Sequence, residues 1–133
     1  MSKLVRFSVC LDKNLVEEFD QHIESKNYSN RSDAFRDLMR KAIIEKSLNK
    51  DVKTAGTIII SYDHHKRELL NKLVNVEHDY EDVIISTQHI HINHDSCMEM
   101  IALRGSSKRM IELSNKIRNI KGIKNTEICF VVI

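Results

Sequence analysis

His89-Ile90-His91-Ile92-Asn93-His94-Asp95-Ser96-Cys97 reads as the end of a strand, a tight turn and the start of a returning strand. The approach from Val83 is rich in β-branched side chains, and Asn93 to Ser96 are turn formers. Side chains on a strand alternate between faces, so His89 and His91 share one, roughly 6–7 Å apart. The turn then brings Cys97 back beside them. Two imidazoles and a thiol make a three-ligand set for a borderline or soft divalent ion: nickel, copper or zinc. The competing interpretation is a pair of exposed strand histidines and a core thiol. A His-x-His spacing with a cysteine just past a turn favours the metal.

Working outward from this stretch, Ala55 to Tyr62, with Thr-Ile-Ile-Ile inside it, is a buried strand. A helix is expected from His64 to about Val76, with Leu69, Leu70, Leu73 and Val74 inward, followed by an acidic turn from Asp79 to Asp82. The histidine strand runs from about Val83 to Ile92, with Ile84, Ile90 and Ile92 on its other face. The return strand, Cys97 to Arg104, puts Cys97, Glu99, Ile101 and Leu103 on one side and Met98, Met100 and Ala102 on the other, and Gly105 ends it. Ser107 to Ile120 is a helix with Gly122 as its stop, and Thr126 to Ile133 is a last strand. The order β-α-β-β-α-β is ferredoxin-like. The face carrying His89, His91 and Cys97, with Ile85, Ile101 and Leu103, is expected to be the one the helices leave bare. A bare face of that kind would meet a partner subunit.

The first fifty residues read strand, helix, helix. Residues 4–11 alternate, with Val5, Phe7, Val9 and Leu11 on one face and Arg6, Ser8 and Cys10 on the other. Asp12 can cap a helix carrying Leu15, Val16, Phe19 and Ile23. Lys26 to Ser29 connect to a second helix capped by Asn30, with Asp33 at its third position and an apolar stripe of Ala34, Phe35, Leu38, Met39, Ala42 and Ile43. A lone strand cannot satisfy its own backbone, so it predicts pairing with a second copy in an antiparallel ribbon. Such a ribbon fits the DNA major groove, where Arg6 can read guanine and hydroxyls can meet either base type. The start of the second helix, with Arg31 nearby, suits a phosphate. Residues 1–50 and 55–133 are therefore two domains, joined by a polar linker within Ser47 to Thr54.

Composition narrows the function classes. At 133 residues, with 41% hydrophobic and 30% charged side chains, the chain is globular rather than disordered. No apolar run reaches the roughly 18–20 residues of a membrane span, and Met1-Ser2-Lys3 opens no secretory signal. Three widely spaced cysteines make no disulfide framework. These features point to the cytoplasm. With 21 basic against 19 acidic residues, a bulk polyelectrolyte role is excluded, and any nucleic-acid contact must come from placed residues.

The whole chain resembles the nickel-responsive transcriptional repressors of the NikR family. The resemblance lies in the alternating strand around Arg6, in Arg31-Ser32-Asp33-Ala34, in Tyr62-Asp63-His64-His65-Lys66-Arg67 and in His89 to Cys97. It implies an α+β chain: a ribbon-helix-helix domain followed by a ferredoxin-like (ACT-like) domain. It also implies a homotetramer, a dimer of dimers. His89, His91 and Cys97 would bind Ni(II), one per chain, with His78 of the neighbouring subunit completing a square-planar site. Square-planar nitrogen and sulfur coordination suits nickel(II) or copper(II), whereas structural zinc prefers a tetrahedron. Glu99 matches an acid near the metal that would orient a ligand. At the outward ribbon positions the family commonly has Arg, Thr and Thr, where this chain has Arg6, Ser8 and Cys10. Asp33 replaces a commoner Glu, and with Asp37 it would form an interdomain site for a potassium-type cation.

The reading is a nickel-responsive, DNA-binding repressor of nickel-uptake genes, and not an enzyme. The alternatives are a ribbon-helix-helix regulator answering to copper, cobalt or a small molecule such as an amino acid, and a metal-dependent hydrolase. The last finds no general base apart from Glu99.

Overall fold

The computed structural model describes residues 3–131. It divides into two compact units, one through Ile43 and one from Ile44.

In the first unit, the Asp12 carboxylate accepts the Leu15 N–H at 2.9 Å and starts α1 (Lys13–Ser25). Asn27, at φ +57°, turns the chain, and Asn30 starts α2 (Arg31–Leu48) by accepting the Asp33 N–H at 2.9 Å. Phe19 packs on Phe35, with ring centroids 5.0 Å apart. Of both helices only Ala34 is fully buried, and Leu38, Met39 and Ile43 of the apolar stripe stay exposed. Residues 3–12 form no strand within one chain. A strand exists through its pairing, and the described residues of this unit hold no strand to pair with. Val5 and Phe7 are accordingly 81% and 65% exposed.

The second unit continues with β1 (Lys53–Tyr62), α3 (Arg67–His78), β2 (Ile84–Asn93), β3 (Ser96–Ser106), α4 (Ser107–Arg118) and β4 (Ile123–Phe130). The strands form one antiparallel sheet in the order β2-β3-β1-β4. Ile58, Ile60 and Tyr62 of β1 and Cys97, Ile101 and Leu103 of β3 form one wall of the core. Leu69 and Leu73 of α3 and Met110, Leu113 and Ile117 of α4 form the other.

Several boundaries differ from the sequence reading. The α3 helix begins at Arg67 rather than His64, because the Asp63 carboxylate accepts the His65 N–H at 3.0 Å and holds a turn there. At its far end α3 reaches His78. The α4 helix stops at Arg118, and Gly122, at φ +101°, redirects the chain into β4. The last two residues of the expected final strand, 132–133, lie outside the described residues.

The larger correction concerns the sheet faces. Cys97, Glu99, Ile101 and Leu103 point into the helix-covered core and are at most 2% exposed. The bare face carries Met98, Met100 and Ala102 instead. His89 and His91 pair with Glu99 and Cys97, so they share the covered face, but they are exposed because β2 is an edge strand. A register shift between Ile84 and Ser86 puts Ile84 opposite Leu103, on the same side as the histidines. Strict alternation from Ile90 could not foresee this, since a bulge reverses parity.

Gly56 lies between β3 and β4, where a Cβ would overlap the backbone carbonyl oxygen of Cys129. Gly56→Ala is expected to destabilise the sheet by about 1–3 kcal/mol, seen by calorimetry as a lower melting temperature. An unchanged melting temperature would show that β4 is free to shift.

Candidate metal centre

Two cross-strand rows build the site. Tyr62, Cys97 and His91 lie side by side on β1, β3 and β2, and Ile60, Glu99 and His89 form the next row. All six side chains point to the same face, because directly paired residues do. Cys97 is 2% exposed and Glu99 is fully buried, whereas the His89 side chain, on the edge, is 55% exposed. A buried thiol and carboxylate therefore open sideways onto two accessible imidazoles.

The hydrogen bonds converge on Glu99. The Tyr62 hydroxyl donates to Glu99 Oε2 at 3.2 Å and lies 3.2 Å from His89 Nδ1. His89 Nε2 is 3.7 Å from Glu99 Oε1, and that buried oxygen has no hydrogen-bond partner. Burial, followed by the nearby Glu99 and Cys97, pushes the Tyr62 hydroxyl pKa well up, so it remains a donor. Glu77, on the last turn of α3, also meets Glu99. Burial and that second carboxyl push Glu77 up to about 9. The cluster is short of positive charge, and its donors are imidazole, thiol and carboxylate. That combination fits a divalent ion of the nickel or copper class.

The side chains are turned differently from a closed ligand set. The His91 ring meets His64 edge-on at 4.9 Å, and Cys97 Sγ faces the Met98 carbonyl at 3.8 Å. His78 bonds Glu81 through Nδ1 at 2.6 Å, with 74% of its side chain exposed. Among the described residues, two trios bring their ligand atoms within 4.8 Å of one another: Asp63, His64 and His65, and His65, His94 and Asp95. The sequence analysis placed His64 at the start of a helix and gave His64 and His65 no ligand role. Pairing Tyr62 with Cys97 would have revealed them, since it carries the loop after Tyr62 to the histidine turn. Burial and the imidazoles of His65 and His91 hold His64 below the ordinary histidine range.

In the first unit, Arg6, Ser8 and Cys10 are exposed. Arg31 is held by Asp20 through two hydrogen bonds of 2.8 Å, which lowers the Asp20 pKa. The Asp33 carboxylate accepts from Arg36 at 2.6 Å, while Asp37 takes the Tyr28 hydroxyl and Lys41, the latter at 3.1 Å. A cation at Asp33 and Asp37 would compete with Arg36 and Lys41 for these carboxylates.

Residues 55–131 match the family model described as the NikR C terminal nickel binding domain. This chain belongs to the NikR family. Residues 5–46 match the ribbon-helix-helix protein, copG family. Three relatives carry the name "Putative nickel-responsive regulator". One from Syntrophus aciditrophicus is 47% identical over 125 residues, covering 94% of this chain and 91% of that protein. One from Chlorobium phaeobacteroides is 45% identical, covering 94% and 93%. One from Dictyoglomus thermophilum is 44% identical, covering 96% of each. Two solved structures share the fold at low identity. An uncharacterized protein from Thermotoga maritima has a TM-score of 0.56 at 12% identity, covering 61% of this chain and all of that one. The ACT domain of GTP pyrophosphokinase from Chlorobium tepidum has a TM-score of 0.50 at 14% identity, covering 59% of this chain and all of that one. This NikR-family chain is thus a nickel-responsive transcriptional regulator with a ribbon-helix-helix DNA-binding domain and an ACT-like nickel-binding domain. The family points to a transcription factor rather than an enzyme, and no helix among the described residues is long and apolar enough to cross a membrane.

The raised Glu77 pKa predicts that the stability of the metal-free protein depends on pH. Its folded pKa is raised, so its stabilising contribution is complete below its unfolded value of about 4.3 and is lost as the pH climbs toward about 9. Urea denaturation of metal-free protein at about pH 5.5 and about pH 8.5 should show wild type losing more stability on alkalinisation than Glu77→Gln. Equal losses would mean that Glu77 titrates as an ordinary carboxyl.

Proposed function

We propose that each chain binds one nickel(II) through His89, His91 and Cys97, that His78 of a neighbouring subunit completes the set, and that occupancy raises affinity for an operator. The observation that carries this reading is the register. It seats Cys97 beside His91, and His89 beside a buried carboxylate with a free oxygen, at an open sheet edge. Closing the set needs rotation of the imidazoles away from Tyr62 and His64. His78 faces solvent and Glu81, which suits a ligand offered to another copy. Glu99 would hold His89 in position by hydrogen bonding. Cys97 must lose its proton to bind, so nickel affinity should fall with pH. Affinity order alone favours copper, so selectivity for nickel rests on coordination geometry and metal supply.

On the DNA side, residues 3–12 of two copies pair as the ribbon, with Arg6, Ser8 and Cys10 in the major groove and Arg31 exchanging Asp20 for a phosphate. The assembly is a homotetramer of two ribbon-helix-helix dimers on a core of four ACT-like domains. Two linked half-site contacts raise affinity through effective concentration. The protein acts in the cytoplasm, as a repressor of nickel uptake.

Nickel(II) titration followed by absorption should give a thiolate charge-transfer band saturating at one ion per chain. It should vanish in Cys97→Ala and change shape in His78→Ala. A band indifferent to both would remove these residues from the site. On DNA, Arg6→Ala should relax base preference at one position at a cost of about 1–3 kcal/mol, while Arg31→Ala should weaken all sequences alike. Unchanged specificity in Arg6→Ala would place that side chain outside the groove.

A further inference from the structure

The connection between α2 and β1 is fastened to the start of α4. Fully buried Ser107 accepts the Val52 N–H at 2.9 Å through its hydroxyl oxygen and donates that hydroxyl to the Leu48 carbonyl, also at 2.9 Å. Its own N–H donates to the Val52 carbonyl at 2.8 Å. The Asp51 carboxylate accepts the Ser106 hydroxyl at 2.6 Å and the Lys108 N–H at 3.4 Å. Two N–H groups that the first turn of α4 cannot satisfy internally are thus taken by residues more than fifty positions earlier. Asp51 sits at φ +63°, an uncommon conformation for a residue other than glycine, and these bonds hold it there. Leu48 to Val52, within the stretch that the sequence reads as a polar linker, are therefore a fixed strut.

The same turn of α4 grips a second element. Arg109 donates to Asp82 through Nε at 3.1 Å and Nη2 at 2.7 Å, and to the Asp79 carbonyl at 3.1 Å. Its guanidinium lies 4.1 Å over the Tyr80 ring. Asp79 directly follows His78. Three consecutive residues, Ser107 to Arg109, thereby join the turn after His78 to the last residue of α2. That helix belongs to the first unit up to Ile43 and to the second from Ile44.

We propose that the first turn of α4 is the joint through which the nickel site acts on the DNA-binding helix, with Ser107 and Asp51 as its positioning residues. When His78 is drawn to a metal, the Asp79–Asp82 turn moves with it, Arg109 follows the turn, and Ser107 and Ser106 pass the shift to Leu48–Val52. This rests on the proposed role of His78, but neither Ser107 nor Asp51 belongs to the metal site.

The test uses the full chain as wild type, Ser107→Ala and Asp51→Gly. The glycine accepts φ +63° and removes only the carboxylate, so it is the variant that keeps its fold if the buried serine does not tolerate change. Nickel(II) chloride binding is followed by absorption. DNA affinity is measured with and without nickel, on a duplex recovered from a random-sequence pool by the nickel-loaded wild type. The variants are expected to keep the wild-type nickel band and stoichiometry. The ratio of DNA affinities with and without nickel should shrink by about 2- to 30-fold. The enhancement of nickel affinity by DNA should shrink by the same factor, since coupling is reciprocal. Folded variants with the full wild-type ratio overturn the proposal, as does a loss of DNA affinity that is equal with and without nickel. Loss of the nickel band in either variant overturns it too. A wild type whose DNA binding ignores nickel overturns both this proposal and the nickel reading beneath it.

Discussion

The register of β3 against its two neighbours is the constraint on which the rest depends. The β3 strand pairs with β1 on one side and β2 on the other, so each of its residues lies between two partners. Cys97 is set between Tyr62 and His91, and Glu99 between Ile60 and His89. A slip of one residue would send Cys97 and Glu99 to the bare face and bring Met98 and Met100 into the core. The burial of Ile101 and Leu103 against Leu113 and Ile117 opposes that slip, since each large apolar side chain returned to water costs about 1.5–3 kcal/mol. The apolar core thus fixes where Cys97 and Glu99 lie relative to His91 and His89.

That placement leaves an electrostatic imbalance. Glu77, Glu99, Cys97 and Tyr62 are acidic groups gathered in or beside the core, next to His89 and His91. Burial and the neighbouring Glu99 carboxyl favour the protonated form of Glu77. A divalent cation at the edge would supply the charge that the fold withholds.

The first unit has the opposite character. With Ala34 as its one fully buried helical residue, and with Val5, Phe7, Val9 and Leu11 open to solvent, it cannot close a core of its own. The pairing of two copies proposed above would supply the core that the first unit lacks. The strut from Leu48 to Val52 lies within the second unit, where it fastens the end of α2 to the start of α4.

Much of this was legible in the order of residues. Local signals carried it: caps at Asp12 and Asn30, helical spacing around Leu69 and Leu113, and the turn that sets Cys97 beside His91. These depend on neighbours a few positions apart, and a sequence displays such neighbours directly. Three features depended on contacts between distant positions and came only from the tertiary structure. The bulge at Ile84–Ser86 and the two helices chose which sheet face is buried. The juxtaposition of Tyr62 with Cys97 carried Asp63, His64 and His65 into the histidine cluster. Ser107, which as a sequence reads only as a helix start, turned out to fasten Leu48 and Val52, because the folding of β3 and α4 brings residues 55 and more positions apart within hydrogen-bonding distance. Chemistry held in short spacings is written in the chain, whereas chemistry made by packing exists only once the sheet has closed.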